Sequence, residues 1–444
     1  MILFTGGTVV TMDPAVGDLA PGDVLVEGDR ILAVGADLGS HPGAADARIV
    51  DTTDRIVAPG FVDTHRHAWQ AQLRRSIPDV TDLGAYVVST LGRLAPAYTP
   101  HDMYVGTRLA ALTALDAGIT TMLDFSHNSR SAAHSDAAVQ ALSDTGLRGV
   151  HASMGPHFGD WDRQWPADLG RLHTAYHGGG DGLVTLRLAA LATHEIAGPQ
   201  LAYGPELAAV ARDLGIGVSI DAVFGAASSA AILRWADAGL LGPEVTLIHA
   251  TGLTAGAWRA IADTGTTVSL APTSDAQIGL ETAVPAIDEA LAVGVRPGLS
   301  IDVEVALASD MFTQMRALHT VQRMRAVNAA YGTDTVPERI TTRDVLDFAT
   351  RQGARTVGLG QVTGSLAPGR QADLVVVDAA AVNNMPLNDA VGTLVLGADA
   401  RNVEIVLVAG RFRKFAGELV GVDLDELRVE VTASRDAVLA AADR

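Results

Sequence analysis

The chain has 444 residues, a formal net charge of -19 and no cysteine. This acidic balance repels phosphate backbones and anionic membranes, so neither a nucleic acid nor a membrane is an expected partner. The lack of cysteine excludes disulfides, thiolate zinc sites and cysteine nucleophiles, so any bound metal must be held by histidine and carboxylate side chains.

The first segment, residues 1–58, predicts one part of a small β-domain. It begins with neither a basic region nor a long apolar stretch. No apolar run of the chain reaches the roughly 18 residues of a membrane-spanning helix, so a cytoplasmic protein is expected. The strand-like runs of this segment are short and are separated by glycine, proline and aspartate turns. They fall at residues 2–5, 8–12, 24–27, 31–34 and 48–51.

The central segment, residues 59–360, predicts a closed parallel barrel. Apolar strand-like runs alternate with stretches that carry apolar residues at helical spacing, such as 104–116, 205–214 and 253–264, the last with Thr254 as its predicted N-cap. Eight strand-like runs occur, at residues 56–64, 119–125, 149–154, 184–191, 217–222, 245–249, 266–270 and 297–303. Eight β/α units are typical of a (β/α)8 TIM-like barrel, so the expected fold class is α/β.

The C-terminal part returns to the texture of the first segment. Residues 361–421 contain strand-like runs at 372–378, 403–408 and 411–415, and residues 422–444 predict a terminal helix or tail. Neither end of the chain alone offers enough strands for a stable core. We therefore expect the two ends to pair into one small β-sandwich domain.

The sequence Asp63-Thr64-His65-Arg66-His67 closes the first apolar run of the barrel. Residues i and i+2 of a strand point to the same face, so His65 and His67 can aim two imidazoles at one point. Two convergent imidazoles indicate a metal site, although such a pair alone is more often an ordinary surface or core pair. Zinc takes three or four protein ligands, so further ligands must come from other strands.

Polar residues at the ends of other strands are the candidate partners, because active-site groups of such barrels project from the C-terminal strand ends. The fifth run contains Asp221, the sixth ends at His249 and the eighth contains Asp302. Each of them alone could instead cap a helix or bind a backbone amide. Together with the two histidines they form a chemically compatible set at matching strand ends.

Six motifs in a fixed order carry a resemblance to a known family. They are PGFVDTHRH at 59–67, AGITT at 117–121, HATGLT at 249–254, VSLAPTS at 268–274, DMF at 310–312 and GSLAPGRQADL at 364–374. With them the chain resembles the amidohydrolase superfamily over nearly its whole length. The resemblance is to the mononuclear-metal branch, which includes cytosine and guanine deaminases, S-adenosylhomocysteine deaminases and triazine chlorohydrolases.

The resemblance implies a role for most of the candidate residues. His65 and His67 would be first-strand metal ligands, and Asp302 would be both the last-strand ligand and the base that activates water. His249 would bind or orient the water or the leaving group. The fifth strand departs from the family, because Asp221 stands where a third metal-binding histidine is usual. The glutamate that shuttles protons in the deaminases is also missing from the residues after Asp221.

Two further features bear on the metal. The chain has a single lysine, Lys414, in the C-terminal segment, so a carboxylated lysine cannot bridge two metals in the barrel. A set of two histidines with Asp221 and Asp302 is harder and more negative than a three-histidine set. One divalent transition metal is expected, with zinc favoured and iron or manganese accommodated. A metal-free site, in which Asp221 and Asp302 form a catalytic acid–base pair, stays open.

Three classes of function remain in view. The first is a metal-dependent hydrolase that attacks a carbon–nitrogen or carbon–halogen bond of a small nitrogen heterocycle or cyclic amide with activated water. The second is a lyase, isomerase or cyclase that uses the same scaffold for acid–base chemistry. The third is a catalytically silent binding protein, which the joint presence of four site residues argues against. They are His65, His67, His249 and Asp302.

Candidates for substrate binding follow the strand ends. Loops of the same kind contain four charged or polar residues that are equally compatible with exposure to solvent. They are Arg74, Arg75, His194 and Glu195. Trp161, with Trp165, is expected to form either a lid over a planar ligand or packing on the barrel rim. The expected substrate-binding residues are Trp69, Gln70, His127, His157 and Trp161. The resemblance also implies a homo-oligomer.

Overall fold

The chain forms two separate β-sheets in the computed structural model, which describes residues 1–334 and 337–444. The strands of the described residues are β1 (Ile2–Val9), β2 (Leu19–Glu27), β3 (Arg30–Gly35), β4 (Arg48–Asp51), β5 (Arg55–Pro59), β6 (Phe61–Arg66), β7 (Ile119–Ser126), β8 (Arg148–Ser153), β9 (Val184–Leu191), β10 (Gly217–Asp221), β11 (Val245–Ile248), β12 (Thr267–Leu270), β13 (Gly298–Leu299), β14 (Leu374–Asp378), β15 (Val403–Val408), β16 (Arg411–Phe415) and β17 (Glu418–Leu419).

Eight longer helices accompany the strands within the described ranges. They are α1 (Pro100–Asp116), α2 (Ala132–Thr145), α3 (Leu169–Tyr176), α4 (Pro205–Leu214), α5 (Gly225–Asp237), α6 (Ala255–Thr264), α7 (Met311–Ala330) and α8 (Leu424–Ala442). Short α-helices lie at Leu83–Tyr86, Gly179–Gly182, Pro272–Ser274, Ile287–Ala292, Thr342–Asp347, Gly353–Thr356 and Ala390–Gly392. Several of these continue as π-helices, at Val87–Leu94, Asp275–Gly279, Phe348–Gln352 and Thr393–Gly397. Short 3-10 turns lie at Pro42–Ala44, Ala68–Leu73, Ala95–Ala97, Pro199–Leu201 and Ala400–Asn402. Within the described ranges, no helix has the length and apolarity that a membrane crossing requires.

Strands β6 to β13 form the predicted barrel. All of them are parallel and lie side by side in chain order. The eighth strand is short, and the ring closes just beyond it through two backbone hydrogen bonds. The amide of Asp302 donates to the carbonyl of His65 at 3.0 Å, and the amide of His67 donates to the carbonyl of Asp302 at 3.1 Å. The closure of the barrel therefore brings three candidate site residues together.

The first predicted barrel strand, residues 56–64, is wrong as a single element. The structure divides the run at Gly60: β5 belongs to the small sheet, and β6 belongs to the barrel. A Cβ atom on Gly60 would lie 2.2 Å from side-chain atoms of Thr120, so only glycine fits at this junction. The apolar run is continuous in sequence because both halves are fully buried, each in its own sheet.

The small sheet is built from both ends of the chain, as predicted. Its strand order is β17-β16-β15-β14-β5-β1-β2-β3, with β4 paired to the other part of β1. A separate apolar core, which includes Phe4, Val57 and Leu407, packs within this domain. Helix α8 leaves the small sheet and packs on α1, where Ser434 donates a hydrogen bond to Asp102 at 2.7 Å.

One buried ion pair joins the barrel to the small sheet. Arg148 of β8 donates two hydrogen bonds to Asp373, at 2.7 and 3.0 Å, and both side chains are almost fully buried. We expect Arg148→Met to lower the free energy of unfolding by about 3–5 kcal/mol, because Asp373 would keep a buried charge without its partner. Arg401→Met is the control, because the pair of Arg401 with Asp399 is largely exposed and contributes about 0–1 kcal/mol. Urea denaturation of the two variants measures the difference, and equal shifts of the midpoint would contradict this role of Arg148.

Candidate metal centre and active site

Five predicted site residues meet at the C-terminal mouth of the barrel. His65 and His67 come from the end of β6, and Asp221 is the last residue of β10. His249 and Asp302 follow β11 and β13, with φ angles of 65° and 70°. Non-glycine residues rarely adopt this left-handed conformation, and such residues are found at turns and at functional sites.

Asp302 contacts both His65 in β6 and His67 directly after it. Its Oδ1 atom is 3.2 Å from Nε2 of His65 and 3.1 Å from Nε2 of His67, and all three side chains are buried. Two ligands of a tetrahedral zinc ion are separated by about 3.3 Å when each bond is about 2.0–2.1 Å long. Both contacts of Asp302 therefore have the spacing of neighbouring metal ligands, and suitable atoms of the three residues all lie within 4.8 Å of one another.

Asp221 extends the cluster through His65, which belongs both to the group with His67 and Asp302 and to a second group with Asp221 and His249. Its Oδ1 atom is 3.8 Å from Nε2 of His65, and suitable atoms of His65, Asp221 and His249 all lie within 4.8 Å of one another. In the part of the chain that the structure describes, Oδ1 of Asp221 is buried without a hydrogen-bond partner. A buried carboxylate oxygen without a donor is costly, and a cation at this point would remove the cost. The donor set therefore fits a divalent metal.

Neighbouring groups fix the orientation of these donors. Nδ1 of His67 lies 3.1 Å from the carbonyl oxygen of Phe125, which places the ring proton on Nδ1 and leaves Nε2 free as a ligand. The hydroxyl of Ser274 donates a short hydrogen bond to Oδ2 of Asp302, so the second oxygen of that carboxylate is also held. Hydrogen-bonded ligands of this kind are typical of metal sites.

His249 is held by a carboxylate that the sequence analysis missed. Nδ1 of His249 lies 2.8 Å from Oδ1 of Asp275, and both side chains are buried. Burial disfavours the charged imidazole, but the hydrogen bond to Asp275 and the carboxylates of Asp302 and Asp221 outweigh it and raise the pKa of His249 to about 9. The available signal was the position of Asp275, directly after the motif VSLAPTS at 268–274, which includes most of the seventh barrel strand, β12.

Arg66, between the two histidines, serves the architecture of the site. It is fully buried and makes ion pairs with Asp63 at 2.7 Å and with Glu304 at 2.9 Å. Arg74 makes a short ion pair with the same Glu304, so it is not free to hold a substrate carboxylate. Arg75 is exposed. The arginines of this loop therefore anchor it or face solvent.

A pocket of about 600 Å³, which includes its open mouth, lies directly over the cluster. The cavity itself, without the open space at its mouth, is about 50 Å³, which limits the ligand to a small molecule. Six polar residues that line it form its floor: His67, His127, His157, Asp221, His249 and Asp302. Most of the remaining lining side chains are apolar.

Two of the predicted substrate-binding residues line this pocket. Nδ1 of His127 lies 3.3 Å from Nδ1 of His157, and the ring of His127 lies 4.1 Å from the ring of His67. Desolvation, with the neighbouring histidine His67, holds the pKa of both residues below the usual value. The two imidazoles are therefore neutral, with Nδ1 of one donating to Nδ1 of the other.

The other three predicted substrate-binding residues lie outside the pocket lining. Trp69 is fully buried behind it, with its ring 5.4 Å from that of His127. Gln70 is also fully buried and donates a hydrogen bond to the hydroxyl of Tyr86 at 2.7 Å, so it supports a lining residue. Trp161 lines a different groove together with Trp165, which is the rim packing that the sequence left open.

The loop after β9 contributes residues that the sequence analysis did not name. His194 and Glu195 are exposed, and neither lines the pocket. Their neighbours Thr193 and Ile196 do line it. In this loop, therefore, sequence reasoning found the right place but the wrong side chains.

A parallel barrel with histidine and carboxylate donors at its C-terminal mouth defines the class of metal-dependent barrel hydrolases. Comparison with known families gives the particular one. The model of the amidohydrolase family matches residues 56–413, and the chain belongs to this family. The predicted superfamily is confirmed.

Curated relatives cover nearly the whole chain. A 5-methylthioadenosine/S-adenosylhomocysteine deaminase of Moorella thermoacetica is 28% identical over 446 residues, which are 97% of this chain and 98% of the relative. An 8-oxoguanine deaminase of Pseudomonas aeruginosa is 29% identical over 451 residues, which are 95% of this chain and 96% of the relative. These relatives confirm the predicted class, an enzyme of the hydrolase type that acts on carbon–nitrogen bonds.

Solved structures agree with the fold. An adenosine deaminase from Xanthomonas campestris with bound zinc superposes with a TM-score of 0.85 at 23% identity, over 99% of this chain and 98% of that one. Atrazine chlorohydrolase from Arthrobacter aurescens, complexed with zinc, gives a TM-score of 0.81 at 22% identity, over 98% of this chain and 100% of that one. The predicted barrel with a small β-domain is confirmed.

Proposed function

We propose that the protein hydrolyses a carbon–nitrogen or carbon–halogen bond at a ring carbon of a small nitrogen heterocycle, with one divalent metal, preferably zinc, at His65, His67, Asp221 and Asp302. Iron and manganese are the alternatives that this donor set accommodates. The observation that supports the proposal most is the contact of Asp302 with both histidines at 3.1 and 3.2 Å in the floor of the pocket.

A divalent metal, when bound at these donors, supplies Lewis acidity and makes water nucleophilic near neutral pH. Asp302 then serves as the base. Burial opposes its charge, but the contacts with the imidazoles of His65 and His67, with the positive field of His249, hold the pKa of Asp302 well below the usual value. The carboxylate is therefore ionised and can take a proton from the attacking water.

His249 is the proton donor of the proposed reaction. Its Nε2 atom lies 3.8 Å from Oδ2 of Asp302 and faces the pocket, while Nδ1 is occupied by Asp275. With its raised pKa, the imidazole is protonated at neutral pH and donates from Nε2 to the ring or to the leaving group. His249 would thus supply the proton donor in place of the glutamate that is missing after Asp221.

The pH dependence of hydrolysis tests the part of His249. An acid must be protonated, so kcat/KM falls as the pH rises through the pKa of His249, near 9. Asp275→Asn removes the charge that raises this pKa, so we expect the alkaline limb of the profile to move to lower pH. An alkaline limb at the same pH in both proteins would contradict the assignment.

The reaction itself is tested with the metal-loaded protein and a panel of purines, pyrimidines and triazines that carry an amino group or a halogen. We expect release of ammonia or halide from at least one class, loss of activity with a chelator, and recovery when metal is restored. If no compound of the panel is hydrolysed, the proposal fails.

We also propose that the protein is a cytoplasmic homo-oligomer. Light scattering would measure the mass of the oligomer.

A further inference from the structure

Apolar side chains form most of the pocket wall above the polar floor. The helical segment Leu83–Leu94, which joins Leu83–Tyr86 to Val87–Leu94, contributes Leu83, Val87 and Leu91. Ile278 and Leu280 line the wall from the loop after β12. Leu91, Ile278 and Leu280 also belong to a buried apolar cluster, so this part of the wall is already packed and pre-formed.

No arginine or lysine among the described residues lines this pocket. Arg66, the last residue of β6, and Arg74, in the segment after it, are both engaged by the buried carboxylate of Glu304. Arg130, after β7, donates its hydrogen bonds to backbone carbonyl oxygens. An anionic group that entered the pocket would therefore lose its hydration without gaining an arginine or lysine partner.

The histidines of the floor have partners within the protein. Nδ1 of His127 lies 3.3 Å from Nδ1 of His157, so these two nitrogen atoms satisfy each other. Nδ1 of His249 lies 2.8 Å from Oδ1 of Asp275, so a carboxylate lies beside this ring.

Asp221 removes the remaining source of attraction for an anion. A divalent cation held by two neutral histidines and one carboxylate keeps a positive charge, and a third histidine in place of Asp221 would leave that charge unchanged. As ligands, the carboxylate groups of Asp221 and Asp302 together balance the charge of a divalent cation. Asp221 in the fifth barrel strand and the uncharged wall thus both disfavour an anionic substrate.

We propose that the substrate is an uncharged nitrogen heterocycle with an apolar substituent, and that analogues with a carboxylate or phosphate are rejected. The ring lies over the floor, within reach of His127 and His157, and the substituent packs against the segment Leu83–Leu94. The proposal rests on the proposed function and narrows it to a class of substrate.

Matched pairs of compounds test this selectivity with the metal-loaded protein. Each pair shares a reacting ring and differs in charge: 5'-deoxyadenosine and adenosine 5'-monophosphate, 9-ethylguanine and its 9-carboxymethyl analogue, and a bis(alkylamino)chlorotriazine and its analogue with one terminal carboxylate. Binding is measured by calorimetry and by the shift in Tm, independently of turnover. We expect the neutral member of at least one pair to bind about 100-fold or more tightly than its charged partner.

A charge-introducing variant examines the wall directly. Leu83 lines the pocket and is partly exposed, so an arginine there can extend its guanidinium across the mouth. We expect Leu83→Arg to move the neutral-to-charged affinity ratio toward the charged compounds by about fivefold or more at low salt. Leu83→Gln, which is polar but uncharged, is the control and should leave that ratio near its original value.

The outcomes separate this inference from the proposed function. Charged members that bind as tightly as their neutral partners, or a complete lack of binding by all six compounds, would overturn the inference. Hydrolysis of charged and neutral members alike would support the proposed function and overturn the inference on substrate charge. Selective binding of neutral members without hydrolysis of any panel compound would support the inference while the proposed function fails.

Discussion

Asp302→Asn is expected to lower kcat/KM by about 10³-fold or more. The carboxylate contacts both histidines of β6 and is the base of the proposed reaction, so its amide analogue loses a ligand charge and the proton acceptor together. Steady-state kinetics on the best substrate of the panel measures the loss. A variant that keeps more than about a tenth of the wild-type kcat/KM would contradict this role of Asp302.

The fold of this variant must be checked separately. Asp302 also closes the barrel, but it does so through its backbone amide and carbonyl, which the substitution keeps. We therefore expect far-ultraviolet circular dichroism like that of the wild type. A loss of activity with an intact barrel then reports on the side chain alone.

The second large effect is expected at Asp221. Asp221→His restores a third imidazole, and imidazole binds zinc in the usual catalytic sets, so we expect zinc affinity to rise by about tenfold or more. Asp221→Ala removes a ligand and should lower affinity by at least the 10–100-fold that a lost supporting group costs. Competition with a chromophoric chelator measures both changes.

Asp213 provides the matched control for these variants. It is an exposed aspartate of α4, eight positions before Asp221. Asp213→His and Asp213→Ala change the same side chain on the surface and should leave zinc affinity unchanged. If Asp221→His also leaves it unchanged, Asp221 does not occupy a ligand position.

The barrel was predictable because its signal is local and repeated. Strand β9 and helix α4 have the predicted bounds, and Thr254 caps α6 as expected, with its hydroxyl accepting a hydrogen bond from the amide of Ala257. The division of the first run at Gly60 was not predictable in the same way. It depends on which distant strands pair with each half, and that information is not in the run itself.

Site residues at the ends of strands were predictable from the sequence. Residues whose position depends on the packing of loops were not. His65, His67, Asp221, His249 and Asp302 lie at or just beyond the ends of barrel strands, and closure of the barrel brings them together. Trp161 and Gln70 lie in loop segments whose packing no periodic pattern specifies. Asp275 was missed for a related reason, because its contact with His249 joins the start of a short π-helix to the residue that follows β11.

The change at Asp221 illustrates how one substitution in a known pattern is best interpreted. A carboxylate in place of an imidazole still donates to a divalent cation, so the substitution does not by itself remove a metal site. It lowers the charge of the site by one unit. The expected consequences are a less acidic bound water and a weaker attraction for anionic substrates.

The metal content of the purified protein tests the central claim most directly. Protein that has never met a chelator is examined by plasma emission, beside the double variant His65→Ala/His67→Ala. The account predicts roughly one divalent transition metal ion per wild-type chain and almost none in the double variant. Wild-type protein without stoichiometric metal, or a double variant that retains it, would contradict the assignment of the centre to these residues.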